Sequence, residues 1–292
     1  MSNTENHFQK HKSNVERFFD RAHVSVYTDA SLQAAIAENR AAWHLSRVAI
    51  TVIAELLLRE SRLKLITLGS ASYASVSRYT WGLPSLFELA LSLRPNSYLS
   101  HGTAAYLRGL LKDAPATFHV NKEQSPKEQF GTLTQQGLDR AFSSRPRQSN
   151  LVFVDQDGHR FVVIAGKSTN YLGVGTINGP AGEKLYATKV ERTLVDIAVR
   201  PIYCGGVGKV LEAYRTARDE LSAKRLMATL KKLGHLYPYH QAIGFYLERA
   251  GFAGEALDLA RGPGLEFDFY LTHGMDDTVY DKAWRLHYPR GL

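Results

Sequence analysis

The chain has 292 residues, enough for about two domains of ordinary size, and 44% of them are hydrophobic, so each part can bury a core. Thirty-six Lys and Arg against 28 Asp and Glu leave a net charge of +8, which favours a polyanionic partner, nucleic acid first, with an anionic membrane surface or plain solubility as alternatives. Cys204 is the only cysteine, which excludes an internal disulfide and a cysteine-built zinc site and fits a reducing cytoplasm. Met1 to Asn14 is polar without the apolar core of a signal peptide. The longest strongly apolar run, Val48 to Leu58, is interrupted by Thr51 and Glu55 and falls short of the roughly 20 residues of a membrane span. A cytoplasmic protein with no membrane partner is expected.

No internal repeat stands out. Residues 1–28 read as an extension, frayed at first and then forming a short amphipathic helix over Asn14 to His23 on Val15, Phe18, Phe19 and Ala22. Asp29 is the expected cap of a helix from Ala30 to Asn39 with Leu32, Ala35 and Ile36 inside. Arg40 to Leu45 forms a compact turn holding Trp43, a core residue. Ser46 is the expected cap of a second helix, Arg47 to Glu60, with Ile50, Ile53, Leu56 and Leu57 as its apolar stripe. Leu63 to Leu68 alternates as a strand, Gly69 to Ser72 makes a small tip, and Tyr73 to Trp81 returns. Helix, turn, helix and hairpin is the order of a winged helix-turn-helix, expected over residues 29–83.

Residues 84–292 read as a larger mixed α/β domain, so the fold class is α+β with an N-terminal winged helix. Pro84 and Ser85 open a helix through Leu93, and Ser100 caps another from Thr103 to about Leu110. Thr117 to Val120 reads as a strand, Thr134 to Phe142 as a helix, and Leu151 to Ala165 as two strands around Asp157-Gly158. Thr188 to about Ala260 is mostly helical, with β-like segments at Glu266 to Leu271 and around Val279.

In a helix-turn-helix the second helix enters the major groove with its N-terminal residues toward the bases. That points to Ser46, Arg47 and Thr51, with Arg47 suited to a guanine edge or a phosphate. Arg59, Arg62 and Lys64 are assigned to phosphates, which add affinity without reading sequence, and Arg40 is a further candidate DNA contact. The tip residues Ser70 and Ser72 suit a groove, flanked by Arg78 and Tyr79. Glu55 and Glu60 oppose phosphate and are expected to point aside.

Two segments imitate a phosphate-binding loop, and neither meets its spacing. Gly166-Lys167-Ser168 has Phe161 where the first glycine belongs. Gly208-Lys209 is followed by Val210 and has Tyr203 at that position. Gly173-Val174-Gly175 is read as a loop. His235 and His240 are split by Pro238, and His101 and His119 are read as core or surface residues, so no metal or other cofactor is expected. No Ser/His/Asp set is evident, and no catalytic residue is assigned. Thr188-Lys-Val-Glu191 has the pattern of a capping box, and Arg192 and Asp196 form an i, i+4 pair.

The run Thr188-Lys-Val-Glu-Arg-Thr-Leu-Val-Asp196, followed by Arg200-Pro201 and Gly205-Gly206, resembles the C-terminal signature of the AbiEi family of antitoxins. Tyr98-Leu-Ser-His-Gly-Thr-Ala-Ala-Tyr-Leu-Arg-Gly-Leu110 resembles that family's segment just after its winged helix. The resemblance covers roughly residues 30–230. It implies a transcriptional repressor that binds repeats in its own promoter and opposes a nucleotidyltransferase-like toxin. The return strand Ser77 to Gly82 departs from the shortest form of the family's wing. The alternatives are a stand-alone regulator, a protein-interaction module, and an enzyme acting on nucleic acid.

Overall fold

The protein is described from a computed structural model, over residues 3–127 and 132–292. It is a mixed α+β molecule. Helix α1 (Asn3–Arg21) is far longer than the helix expected over Asn14 to His23. Phe8 explains the difference: Phe8, Val15 and Phe19 lie along one face and are all buried, so the stretch expected to fray is held by its own seam. After β1 (Val26–Tyr27) comes α2 (Asp29–Asn39), capped by Thr28 rather than Asp29. The Thr28 hydroxyl accepts from Ser31 N (3.1 Å) while Ser31 Oγ accepts from Thr28 N (2.9 Å), a reciprocal cap.

Helix α3 (Ile50–Glu60) begins later than expected, and Ser46 does not cap it. The chain from Arg40 instead makes successive turns: Leu45 N donates to Arg40 O (2.7 Å) and Val48 N to Leu45 O (2.9 Å), with His44 left-handed at φ 60°. These turns bury Leu45 and Val48 with Trp43, a gain that a helix continued back to Arg47 does not offer. Ala49 is left at the N-cap with no side-chain bond to the first turn. Strands β2 (Leu63–Leu68) and β3 (Val76–Trp81) form an antiparallel hairpin, and β1 joins β3 to give the order β1-β3-β2. The return strand starts at Val76 rather than Tyr73, so the tip is longer than expected. Helix α4 (Leu86–Ser92) starts from a capping box between Ser85 and Glu88.

The next elements are β4 (Tyr98–Leu99), α5 (His101–Leu107), β5 (Thr117–Glu123), α6 (Gln135–Ser143), β6 (Val152–Val154), β7 (Arg160–Gly166), β8 (Val174–Asn178) and β9 (Lys184–Thr188). The six strands have the order β6-β7-β5-β4-β9-β8. Val174-Gly175, read as loop, opens β8: an edge strand with little burial and a glycine inside carries no clear alternation. Helix α7 (Val190–Val199), a 3₁₀ turn (Pro201–Cys204), α8 (Val207–Thr216), α9 (Ala223–Leu233), α10 (Tyr239–Arg249) and α11 (Glu255–Arg261) follow. A small sheet of β10 (Phe269–Tyr270), β11 (Thr278–Asp281) and β12 (Leu286–Pro289) ends the chain.

The chain divides into two compact units: residues 1–95 with 151–161 and 178–185, and residues 96–150, 162–177 and 186–292. The first unit therefore extends past residue 83. Arg78 bonded to Ser92, and Ser25 Oγ donating to Glu88 (2.9 Å), tie α4 into it. Its core gathers Phe8, Phe19, Leu32, Ile36, Trp43, Ile53, Leu57 and Trp81. The second unit's core runs from Leu138 and Phe142 through Leu194, Ile197, Tyr214, Phe245 and Tyr246 to Trp284. Among the described residues no helix is long and apolar enough to cross a membrane.

Candidate functional site

In the first unit, Ser46, Arg47, Thr51 and Lys64 are exposed, and neither the Arg47 nor the Lys64 side chain has a hydrogen-bond or ion-pair partner among the described residues. Glu55 is also exposed, one helical turn after Thr51 and so on the same face, not aside. Ser70 is half-buried and Ser72 exposed at the tip, with Ser72 N donating to Ser70 Oγ (3.4 Å). Backbone pairing of Gly69 with Val154 (2.9 and 2.8 Å) anchors the base of that tip.

The remaining expected contacts are engaged within the unit. Arg40 Nη1 donates to Val48 O (3.3 Å). Arg59 pairs with Glu5 (2.6 Å) and Glu60 (2.7 Å), and Arg62 pairs with Asp20 and lies 5.3 Å from the centre of the Trp81 ring. Arg59 and Arg62 stay more than half exposed, and exposed pairs of this kind are weak enough to open for a phosphate. Tyr79 is half-buried and donates to Asp29 (3.4 Å). Arg78 is the clear departure. It is 8% exposed, and its Nε and Nη2 donate to Ser92 O (3.2 and 2.8 Å) and its Nη1 to Ser77 O (2.7 Å). Burial lowers its pKa from the usual value, and its fork serves the fold. Sequence reasoning missed Arg17 and Arg21, which line a shallow depression of about 450 Å³ beside Trp43; their i, i+4 spacing was the available signal.

In the second unit the two segments that carry the family resemblance meet. Leu99 pairs in parallel with Ala187, Arg108 Nε donates to Thr188 O (2.9 Å), and Arg192 Nη2 donates to the Tyr98 hydroxyl (3.3 Å). Gly102 is needed there, because a Cβ at this position would lie 2.9 Å from Tyr203 O. The expected capping box does not form: Thr188 Oγ1 faces Thr193 Oγ1 (2.7 Å), and the Glu191 carboxylate accepts from Arg225 Nε (2.6 Å). Arg192 and Asp196 do pair, at 2.7 Å, and both are buried.

That pair belongs to a wider network. Arg192 Nη1 donates to Leu172 O (2.7 Å) and to Thr169 Oγ1 (3.2 Å). Tyr98 receives Asn121 Nδ2 (2.6 Å) and donates to Glu123 (3.0 Å), which also accepts from Thr169. Burial alone would raise Glu123, yet the bonds from Thr169, Tyr98 and Tyr171 hold its pKa below the ordinary value. Burial raises the Asp196 carboxyl, an effect that Arg192 offsets only in part, and Asp196 Oδ2 has no hydrogen-bond partner among the described residues. Asp196, Arg192, His101 and His235 line a cavity of about 850 Å³. Burial lowers His101 well below its ordinary value and takes His235 down to about 4, so both are neutral imidazoles at pH 7.

The likeness to a solved structure concerns this fold. The RV2827C protein from Mycobacterium tuberculosis superposes with a TM-score of 0.59 at 15% sequence identity, over 96% of this chain and 91% of that one. No protein-family model matches the chain. No curated protein matches it either. The shared feature is the α+β fold.

Other residues singled out in the sequence have local duties. Lys167 Nζ donates to Leu233 O (3.0 Å) and Gly234 O (2.6 Å), the carbonyl end of α9, where a cation is favoured. Lys209 pairs with Asp113 and Glu212, each at 2.9 Å. His240 Nε2 lies 2.7 Å from Gly264 O. Asp155, Asp157 and His159 cluster at a turn whose Asp155 carboxylate accepts from Asp157 N and His159 N (3.0 and 2.8 Å). Cys204 is buried, which pushes its thiol up to about 12.

Proposed function

We propose that this protein is a transcriptional repressor whose N-terminal unit is a winged helix that binds double-stranded DNA, and that it acts as the antitoxin of a bacterial toxin–antitoxin pair. The observation that carries the DNA reading is the order α1-β1-α2-α3-β2-β3, with α3 following α2 through a compact turn and leading into the hairpin. In this reading α3 enters the major groove by its N-terminal turn. Arg47 and Thr51 approach bases and phosphates, and Glu55 on the same face accepts from a cytosine amino group. Lys64, Arg17 and Arg21 add phosphate contacts.

The antitoxin half rests on the likeness of Tyr98–Leu110 and Thr188–Asp196 to the AbiEi family, strengthened by the direct packing of those segments on each other. Titration of the protein onto its own upstream DNA, followed by fluorescence anisotropy, tests the first half. Arg47→Ala with Lys64→Ala is expected to weaken binding about tenfold to a hundredfold and to flatten the salt dependence, with the thermal midpoint unchanged. Binding that survives unchanged at moderate salt sinks the assignment of this face. Co-expression with the product of the adjacent reading frame tests the second half, with relief of growth arrest as the expected result.

A further inference from the structure

The second unit contains more converging positive charge than its own hydrogen bonds use. The cavity of about 850 Å³ at Arg192 and Asp196 adjoins one of about 460 Å³, and the two share Val199, Arg200, Tyr237 and Tyr239. Lys127, Lys167, Arg192 and Arg200 line the first, and Arg145, Arg147 and Arg200 the second, while Asp196 is the sole lining carboxylate among the described residues. The side chains of Arg145, Arg147 and Arg200 make no hydrogen bond or ion pair among the described residues; the Arg200 guanidinium lies 5.9 Å from the Tyr203 ring centre. Unpaired guanidinium groups gathered in concave surfaces repel one another and focus a positive potential, which a multivalent anion relieves.

A bare anion leaves other features without use. Asp196 lines the cavity at 8% exposure, and its buried Oδ2 has no hydrogen-bond partner among the described residues. A buried acceptor in that state is destabilising. Ile164, Leu233, Leu236 and Tyr237 supply apolar and aromatic wall of the kind that holds a flat ring. Two lining residues, His101 (φ 51°) and Asn170 (φ 52°), hold the left-handed backbone, a strain that gathers at binding sites.

We propose that the joined cavities are a binding site for a nucleoside phosphate. The phosphates lie against Arg200 with Arg145, Arg147 and Lys167, whose forks and ammonium suit non-bridging oxygens. The nucleoside turns inward beside Asp196, with its ring on the Tyr237 side. The site lies wholly in the second unit and goes beyond the DNA reading, so each can fail without the other.

Isothermal titration of the full-length protein with ATP, GTP, CTP and UTP, and with tripolyphosphate and adenosine as part-ligands, tests this. At least one triphosphate is expected to bind near 100 µM or tighter, on the order of the affinity a pocket of this size provides. Tripolyphosphate and adenosine are expected to bind at least about tenfold more weakly than that nucleotide. Arg200→Ala, and separately Arg145→Ala with Arg147→Ala, are expected to weaken it about tenfold while leaving the thermal midpoint of the free protein in place. No binding of any nucleotide near about 1 mM overturns the proposal. Tripolyphosphate binding as tightly as the nucleotide reduces the site to an anion patch and overturns it too. So does unchanged binding by both sets of arginine variants, which moves the nucleotide elsewhere on the chain.

Discussion

Arg47 and Arg78 bear the same guanidinium and receive opposite environments. Arg47 stands free on the turn before α3, whereas Arg78 points from β3 into the unit and ties it to the end of α4 through Ser92 O. Arg78→Ala leaves that half-buried carbonyl without its donors and is expected to destabilise the first unit by about 1–3 kcal/mol, read by urea unfolding. Arg47→Ala is expected to stay within about 0.5 kcal/mol of the parent. Equal stabilities for the two variants would contradict the division of roles. Sequence could name both arginines as candidate DNA contacts but could not rank them. The register of β3, with Ile66 opposite Arg78, decides which face each residue takes, and that register depends on pairing across the hairpin.

At the scale of elements, the start of α3 shows a local signal losing to packing. Ser46 precedes a helical pattern and is a good capping residue, yet burial of Leu45 and Val48 moves the helix start to Ile50. Ala49 then leaves the first-turn N–H groups without a side-chain acceptor, in an extended conformation (φ −62°, ψ 143°) that a serine also adopts. Ala49→Ser is accordingly expected to stabilise the unit by about 0.5–1 kcal/mol, visible as a thermal midpoint raised by a few degrees. A midpoint unchanged or lowered would show that those groups are already satisfied. Thr188 repeats the lesson. Its capping-box pattern is real in sequence, but the hydroxyl turns inward to Thr193 and Glu191 turns out to Arg225. Helix α2 and the β2–β3 hairpin were legible because their cores are local; β8 was not, since an edge strand carries little burial.

At the scale of the molecule, burial of imidazoles couples stability to pH. His119 is 9% exposed and burial lowers its pKa to about 4, with His235 lowered to about 4 and His101 lower than its ordinary value. The unfolded chain binds the His119 and His235 protons from about pH 6.5, and the folded one only near pH 4, so stability falls as pH drops through that window, and His101 acts in the same direction. His119 alone contributes on the order of 3 kcal/mol when the shift is fully expressed. Asp196, raised by burial, works in the opposite sense at the acid end. The thermal midpoint is expected to fall from about pH 7 to about pH 5, with a shallower slope in His119→Gln. A midpoint flat over that range would mean that these histidines are protonated in the folded state.

What the sequence by itself determined is what depends on short range. Composition set a chain with cores and no apolar span, and periodicity located most helices and the hairpin and with them the α+β class, because a few neighbouring side chains carry those signals. Only the tertiary structure decided what depends on residues far apart. It joined Tyr98 to Arg192 and Asn121, turned Arg78 inward, seated Phe8 of α1 in the core of the first unit, and gathered Arg145, Arg147 and Arg200 around two cavities. Burial and hydrogen bonding act on atoms that meet in space, and a buried charge is assigned its partner by the chain that folds over it.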